Sequence, residues 1–230
     1  MWSVGTLLVC DSGESSYVGP DNHQKIMRLI GLTGNIASGK TAVADMLAER
    51  GAVIVDADVL AREAVSKGSP ALEKITAKWG KGVLDDEGNL DRSSLRHIVF
   101  QNQADLDALN EIVHPEVSRL RSREIEAAKA RGEKLVVCVI PLLFERHLAD
   151  DFDAIVLVDA PRTLRLERIV RDRGLDEAEA MKMIASQMPA DLKRARADYV
   201  IENSGSLEDL EEEVDRVWEE IAGDKIASAV

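Results

Sequence analysis

Four short apolar runs set the framework of the 230-residue chain: 28–33 (RLIGLT), 52–55 (AVIV), 135–140 (LVVCVI) and 154–158 (AIVLV). Each is too short for a buried helix and lacks the alternation of a half-exposed strand. They read as strands of a parallel sheet covered on both faces. A fifth, 199–201 (YVI), is shorter. Between the runs the period lengthens to that of a helix. Val43, Met46 and Leu47 give an apolar face to a helix that begins near Lys40 and stops before Gly51. Residues 60–131 are mostly helical in pattern, with breaks at Gly68-Ser69-Pro70 and over 80–91. A helical hairpin is predicted over 162–173 and 176–188. Ser206, with Asp209 three positions on, predicts a capped last helix whose stripe is Leu207, Leu210, Val214, Val217 and Ile221. Strands alternating with helices imply an α/β fold, a parallel sheet flanked by helices, with a helical block inserted after the second strand.

The polar residues worth attention follow the strands, where an open parallel sheet binds its ligands. Gly34-Asn35-Ile36-Ala37-Ser38-Gly39-Lys40-Thr41 has the spacing G-x-x-x-x-G-K-T between a strand and a helix. Its glycines bring backbone N–H groups close to phosphate oxygens, and the helix N-terminus adds partial positive charge. Lys40 would reach the β- and γ-phosphates, and the Thr41 hydroxyl would ligate Mg²⁺. A glycine turn with a chance lysine is the bland alternative, and the flanking strand and helix argue against it. The second strand delivers Asp56 and Asp58. Asp56 would bind a water on the metal. Asp58 either accepts a proton from an attacking hydroxyl or caps the next helix, and spacing leaves both open.

Arg162, Arg165, Arg168, Arg171 and Arg173 concentrate positive charge on one helix. Arg168 and Arg173 suit a segment that covers a γ-phosphate, whereas Arg162 and Arg165 fit a salt-bridged surface. Asn203 would sit at the ligand edge and cradle the adenine. Arg92, Arg96 and His114 would serve an anionic ligand in the helical block, although each taken singly better fits a surface or core-edge position and His114-Pro115 equally fits a helix boundary. Arg119, Arg121 and Arg123 read as a solvated face. Residues 85–89 (DDEGN) lack the order of a calcium loop and read as a turn.

Composition narrows the partners. Net charge is −13 and aromatics are 3 %, which disfavours long nucleic acid by repulsion and by lack of stacking surface. Cys10 and Cys138 form no disulfide framework, and no run approaches membrane-spanning length. Residues 1–26 read as a leader, 27–222 as the folded unit and 223–230 as a tail. No guanine-reading N-K-x-D occurs, and the strand ending at Ile140 leads into Pro141 rather than an acidic pair. Both disfavour a switch or an ATP-driven machine and favour a small-molecule kinase.

Taken in order, these motifs resemble the dephospho-CoA kinases, P-loop enzymes of the nucleoside monophosphate kinase type. The resemblance rests on Gly39-Lys40-Thr41, Asp56-Ala57-Asp58 with Ala61-Arg62, Leu90-Asp91-Arg92, His114-Pro115, Pro141-Leu142-Leu143-Phe144-Glu145, Arg168, Arg173, Gln187 and 197–201 (ADYVI) with Asn203. It implies a P-loop kinase core (27–59, 134–161 and 198–222), an inserted helical CoA-binding domain (60–131) and a helical lid (162–197). It implies transfer of the ATP γ-phosphoryl group to the ribose 3′-hydroxyl of dephospho-CoA, with Mg²⁺, in the cytoplasm. Carried over by position, Asp58 is the base, with Lys40 and the lid residue Arg173 also catalytic. Residues 34–41, Arg168 and Asn203 bind ATP. Asp56, Arg62, Arg92, His114, Pro141, Leu142, Glu145 and Gln187 meet the acceptor. Asn35 and Ala37 stand where the family often has glycine.

Overall fold

The computed structural model describes residues 27–223; the expected leader, with Cys10, and residues 224–230 lie outside them. Strands β1 (Arg28–Thr33), β2 (Val53–Asp56), β3 (Leu135–Val139), β4 (Ala154–Asp159) and β5 (Tyr199–Glu202) are all parallel, in the order β2-β3-β1-β4-β5. Alternation within the strands divides the core. Ile30, Leu32, Val137, Val139, Val156 and Val158 pack beneath α1 (Lys40–Glu49) and α9 (Leu207–Ala222). Val136, Cys138 and Ile155 pack on the opposite side, against α2 (Ala57–Ala64) and α5 (Gln103–Ala130). Cover on both faces explains why the strands are continuous apolar runs. The Cys138 thiol is buried here, and desolvation pushes its pKa up to about 12, so it behaves as a small core hydrophobe.

The helical block is less separate than its sequence suggests. α2 and the C-terminal half of α5 belong to the layer on the sheet. A distinct cluster, including Val65, Ile75, Leu95 and Val99, joins α3 (Pro70–Trp79), α4 (Arg92–Val99) and the N-terminal half of α5. α5 runs straight through Pro115, so the boundary reading of His114-Pro115 fails. The helix is held on both sides of the proline: Leu106, Leu109 and Val113 pack into the distal cluster, and Val117, Leu120 and Ala128 into the sheet-side core. An interior proline loses one hydrogen bond, and this packing offsets the loss. The unforeseen break lies at 100–102, where the Asn102 side chain caps α5. Residues 85–89 form the expected turn, with Asp85 accepting from the Glu87 and Asn89 backbones.

α6 (Arg162–Arg173) and α7 (Glu177–Ala185) make the hairpin, followed by α8 (Ala190–Arg194). Ile169, Ala180 and Ile184 form its small core, and Ile36 and Ala37 of the phosphate loop pack onto it. The Ser206–Asp209 capping box that begins α9 is present as expected.

Candidate active site

Because the strands are parallel, their C-terminal ends share one edge. The loop 34–39 follows β1, Asp56 ends β2 and Asp58 follows it, Pro141 and Leu142 follow β3, and Asn203 follows β5. The loop needs glycine at two points. A Cβ at Gly34 would run into the Val158 carbonyl and the Ser38 hydroxyl. A Cβ at Gly39 would overlap the Asn203 amide, and Gly39 is left-handed at φ 96°. Ala37 is also left-handed, at φ 58°, a conformation that glycine adopts more readily.

A cavity of about 900 Å³ is lined by Gly39, Lys40, Thr41, Arg168 and Arg173, among others. Lys40 is turned back on the loop and donates to the Gly34 and Asn35 carbonyls, both at 2.9 Å. Burial lowers its pKa to about 8; Lys193, Arg165 and Arg173 add to the depression, and Asp58 opposes it. A ligand phosphate reverses the balance by favouring the ammonium. ATP binding at pH 8 is therefore expected to take up about half a proton, and affinity to fall as pH rises past 8. Calorimetry in buffers of different ionisation enthalpy measures the uptake, and Lys40→Met should abolish it.

Thr41 is exposed to the same cavity. Among the described residues no three or more His, Cys, Asp or Glu side chains cluster as a metal site. A single hydroxyl beside a phosphate cradle fits Mg²⁺, which keeps waters and takes most other ligands from phosphates.

A second cavity, of about 400 Å³, lies between the sheet edge and the distal helices. Arg92, Arg96, Asn110, His114 and Arg146 line it. Asp58, Pro141 and Leu142 line both cavities. Asp58 is exposed in the first turn of α2, and its carboxylate has no hydrogen bond or ion pair among the described residues. The cap of α2 is Asp56, which accepts from the backbones of Asp58 (2.7 Å) and Val59 (3.3 Å). The capping alternative for Asp58 thus fails: its neighbour holds that post, and Asp58 is left facing the ligand space.

Several expected contacts fall elsewhere. Arg62 is exposed in the last turn of α2 and lines none of the cavities. Glu145 does not line them either. It accepts from Lys193 (2.9 Å) and from the Met188 backbone (3.1 Å), bracing the base of the lid hairpin. Gln187 lines the first cavity but accepts from the Ile36 backbone at 2.7 Å, so it ties lid to loop. Asn203 lines the first cavity and also braces the loop: it donates to the Ser38 carbonyl (2.8 Å) and accepts from Arg168 (3.2 Å). Arg168 also donates to the Ala37 carbonyl at 3.3 Å.

Arg165 is no surface residue. It is 4 % exposed, because it lies on the inward face of α6, and its Nε donates to the Ala160 carbonyl. Arg121 also departs from the solvated face, pairing with Asp151 at 2.7 Å and stacking over Phe152. Sequence reasoning missed Lys193 and Arg146. Lys193 is fully buried in a short segment that also carries Arg194 and Arg196, and Arg146 follows its motif with no local signal.

The parallel sheet, the phosphate loop, a lid bearing arginines and an acceptor cavity meeting the loop at one carboxylate define a P-loop kinase of small molecules. The relatives narrow this class. The family model CoaE: dephospho-CoA kinase matches residues 28–209. The dephospho-CoA kinase of Thermobifida fusca is 45 % identical over 195 residues, 85 % of this chain and 96 % of that protein. That of Bacillus licheniformis is 46 % identical over 183 residues, covering 80 % and 91 %. A Thermus thermophilus crystal structure superposes with a TM-score of 0.74 at 38 % identity, covering 86 % of this chain and 99 % of that one. The Campylobacter jejuni dephospho-CoA kinase gives 0.67 at 26 % identity, with the same coverages. The chain belongs to the dephospho-CoA kinase family.

Proposed function

We propose that the chain transfers the ATP γ-phosphoryl group to the ribose 3′-hydroxyl of dephospho-CoA in the cytoplasm, with the following division of labour. ATP occupies the larger cavity, its phosphates on the backbone of residues 34–41. Lys40 leaves the Gly34 and Asn35 carbonyls for the phosphates. Arg173, exposed on the same cavity, meets the charge that builds on the transferred group. Arg168 and Asn203, on the lining of the same cavity, brace the loop and face the nucleotide. Held by Thr41 and phosphate oxygens, Mg²⁺ would neutralise charge on the phosphates. Asp58 orients the 3′-hydroxyl and accepts its proton, while Arg92, Arg96 and His114 face the acceptor.

The observation that carries this reading is the position of Asp58 on the wall shared by the two cavities. A group that activates an acceptor for attack on a bound triphosphate must reach both ligands, and among the described carboxylates only Asp58 lines both cavities. The test is ADP release with Mg·ATP and a panel of dephospho-CoA, AMP, CMP, GMP and gluconate. Release that requires dephospho-CoA, with CoA formed in equal amount, supports the reading. Release with another acceptor reassigns the second cavity.

A further inference from the structure

A third cavity, of about 380 Å³, opens beside the acceptor cavity. Its walls are mostly apolar (Val55, Leu60, Val117, Ile140 and Leu148), and Arg121, which also lines it, has its charge paired with Asp151. Ala57, His114, Val117, Ile140 and Arg146 line both spaces, so these residues form the passage between them. Two of the five carry unused polar capacity. The His114 Nε2 is buried with no hydrogen-bond partner among the described residues. The Arg146 guanidinium likewise makes no hydrogen bond or ion pair among them.

Native proteins rarely leave a buried polar atom unsatisfied, so the His114 Nε2 marks a place for a polar ligand atom, and the exposed Arg146 guanidinium beside it is free to meet an anion. Arg146 is solvent-accessible, yet desolvation lowers its pKa and Asp58 opposes the shift. The same cation lowers the pKa of His114 after burial has done so. Arg146 therefore stands within electrostatic reach of both Asp58 and His114. The ligand that satisfies this arrangement is anionic at the passage, hydroxylated at Asp58 and uncharged in the apolar space beyond.

We propose that Arg146 binds the diphosphate of the acceptor, and that the third cavity takes the acceptor's pantetheine arm. The inference rests on dephospho-CoA being the acceptor. With the 3′-hydroxyl at Asp58, the diphosphate leaves the same ribose through its 5′-oxygen, a few bonds away. The guanidinium offers several donors to phosphate oxygens. The arm beyond is long, flexible and uncharged, which suits a narrow apolar space. Adenine then remains in the second cavity, where Phe100, 72 % exposed, offers a ring face on the lining.

The test is calorimetric binding to the full chain, saturated with a non-hydrolysable ATP analogue so that only the acceptor side is read. The ligands are dephospho-CoA, ADP methyl ester (diphosphate without the arm) and adenosine (neither). Arg146→Met should weaken dephospho-CoA and ADP methyl ester roughly 10–100-fold and leave adenosine unchanged, and Arg146→Lys should recover part of the loss. Ser118 is exposed on the rim of the third cavity, so Ser118→Trp plugs it without disturbing the core. That variant should weaken dephospho-CoA at least tenfold and spare ADP methyl ester. Equal losses for all three ligands in Arg146→Met, or none, would overturn the assignment of the diphosphate. Unchanged dephospho-CoA binding in Ser118→Trp would place the arm elsewhere. If the unaltered chain failed to bind dephospho-CoA, the acceptor itself would be wrong, a different result from either.

Discussion

Asp58→Asn should lower kcat by about 10²–10⁴-fold, the contribution of a positioned general base, while leaving ATP affinity within about twofold. The amide keeps the size and shape of the carboxylate but cannot accept the hydroxyl proton. Stability should not change, since the Asp58 side chain is exposed and bonds to no described residue. Asp56→Ala provides the contrast. It removes the cap that accepts from Asp58 and Val59, costing about 1 kcal/mol of stability, and it disturbs activity only through the placement of Asp58. Steady-state kinetics with thermal unfolding of both variants separates the two roles. Turnover near the unaltered level in Asp58→Asn would remove this carboxylate from the reaction.

The sheet was legible because burial on both faces leaves an unmistakable mark, a short run without polar positions. The phosphate loop was legible because its chemistry demands glycine at fixed points, and the structure supplies the reasons at Gly34 and Gly39. Asp58 was placed at the right edge, but its role stayed open, since either Asp56 or Asp58 satisfies the preference for an N-cap. Only the backbone around α2 shows which one does. The contacts of Glu145, Gln187 and Asn203 were not legible. Each spends polar atoms on another part of the protein, although Gln187 and Asn203 also line the larger cavity. A motif marks a residue as near the chemistry without saying whether it faces the ligand or holds what does. Arg165 and Lys193 show the same limit for charge. A cation in a charged segment suggests solvent, and only the packed helix reveals that it points inward.

The base of the lid carries the largest expected effect on stability. Lys193 is fully buried, and its ammonium donates to Glu145 at 2.9 Å and to the Pro141 carbonyl at 3.2 Å. Glu145→Ala leaves that ammonium with one neutral acceptor in the interior. Breaking a buried pair on one side costs about 3–5 kcal/mol, and the 22 % exposure of Glu145 argues for the lower end. At about 3 kcal/mol, Tm should fall by roughly 6–12 °C for a chain of this size. The exposed pair Arg171–Asp172 is the control, and Asp172→Asn should leave the midpoint in place. Replacing both buried partners, as Glu145→Leu with Lys193→Met, removes the uncompensated charge and should restore most of the lost Tm. Activity should not return with it. Glu145 also accepts from the Met188 backbone, Met188 accepts from Asn35 at 2.9 Å, and the adjoining Gln187 accepts from Ile36. Without the carboxylate this joint between lid and phosphate loop loosens, whatever the charge balance. The double variant should therefore melt near the unaltered chain while its KM for ATP stays raised. Recovery of both together would make the pair a matter of stability alone.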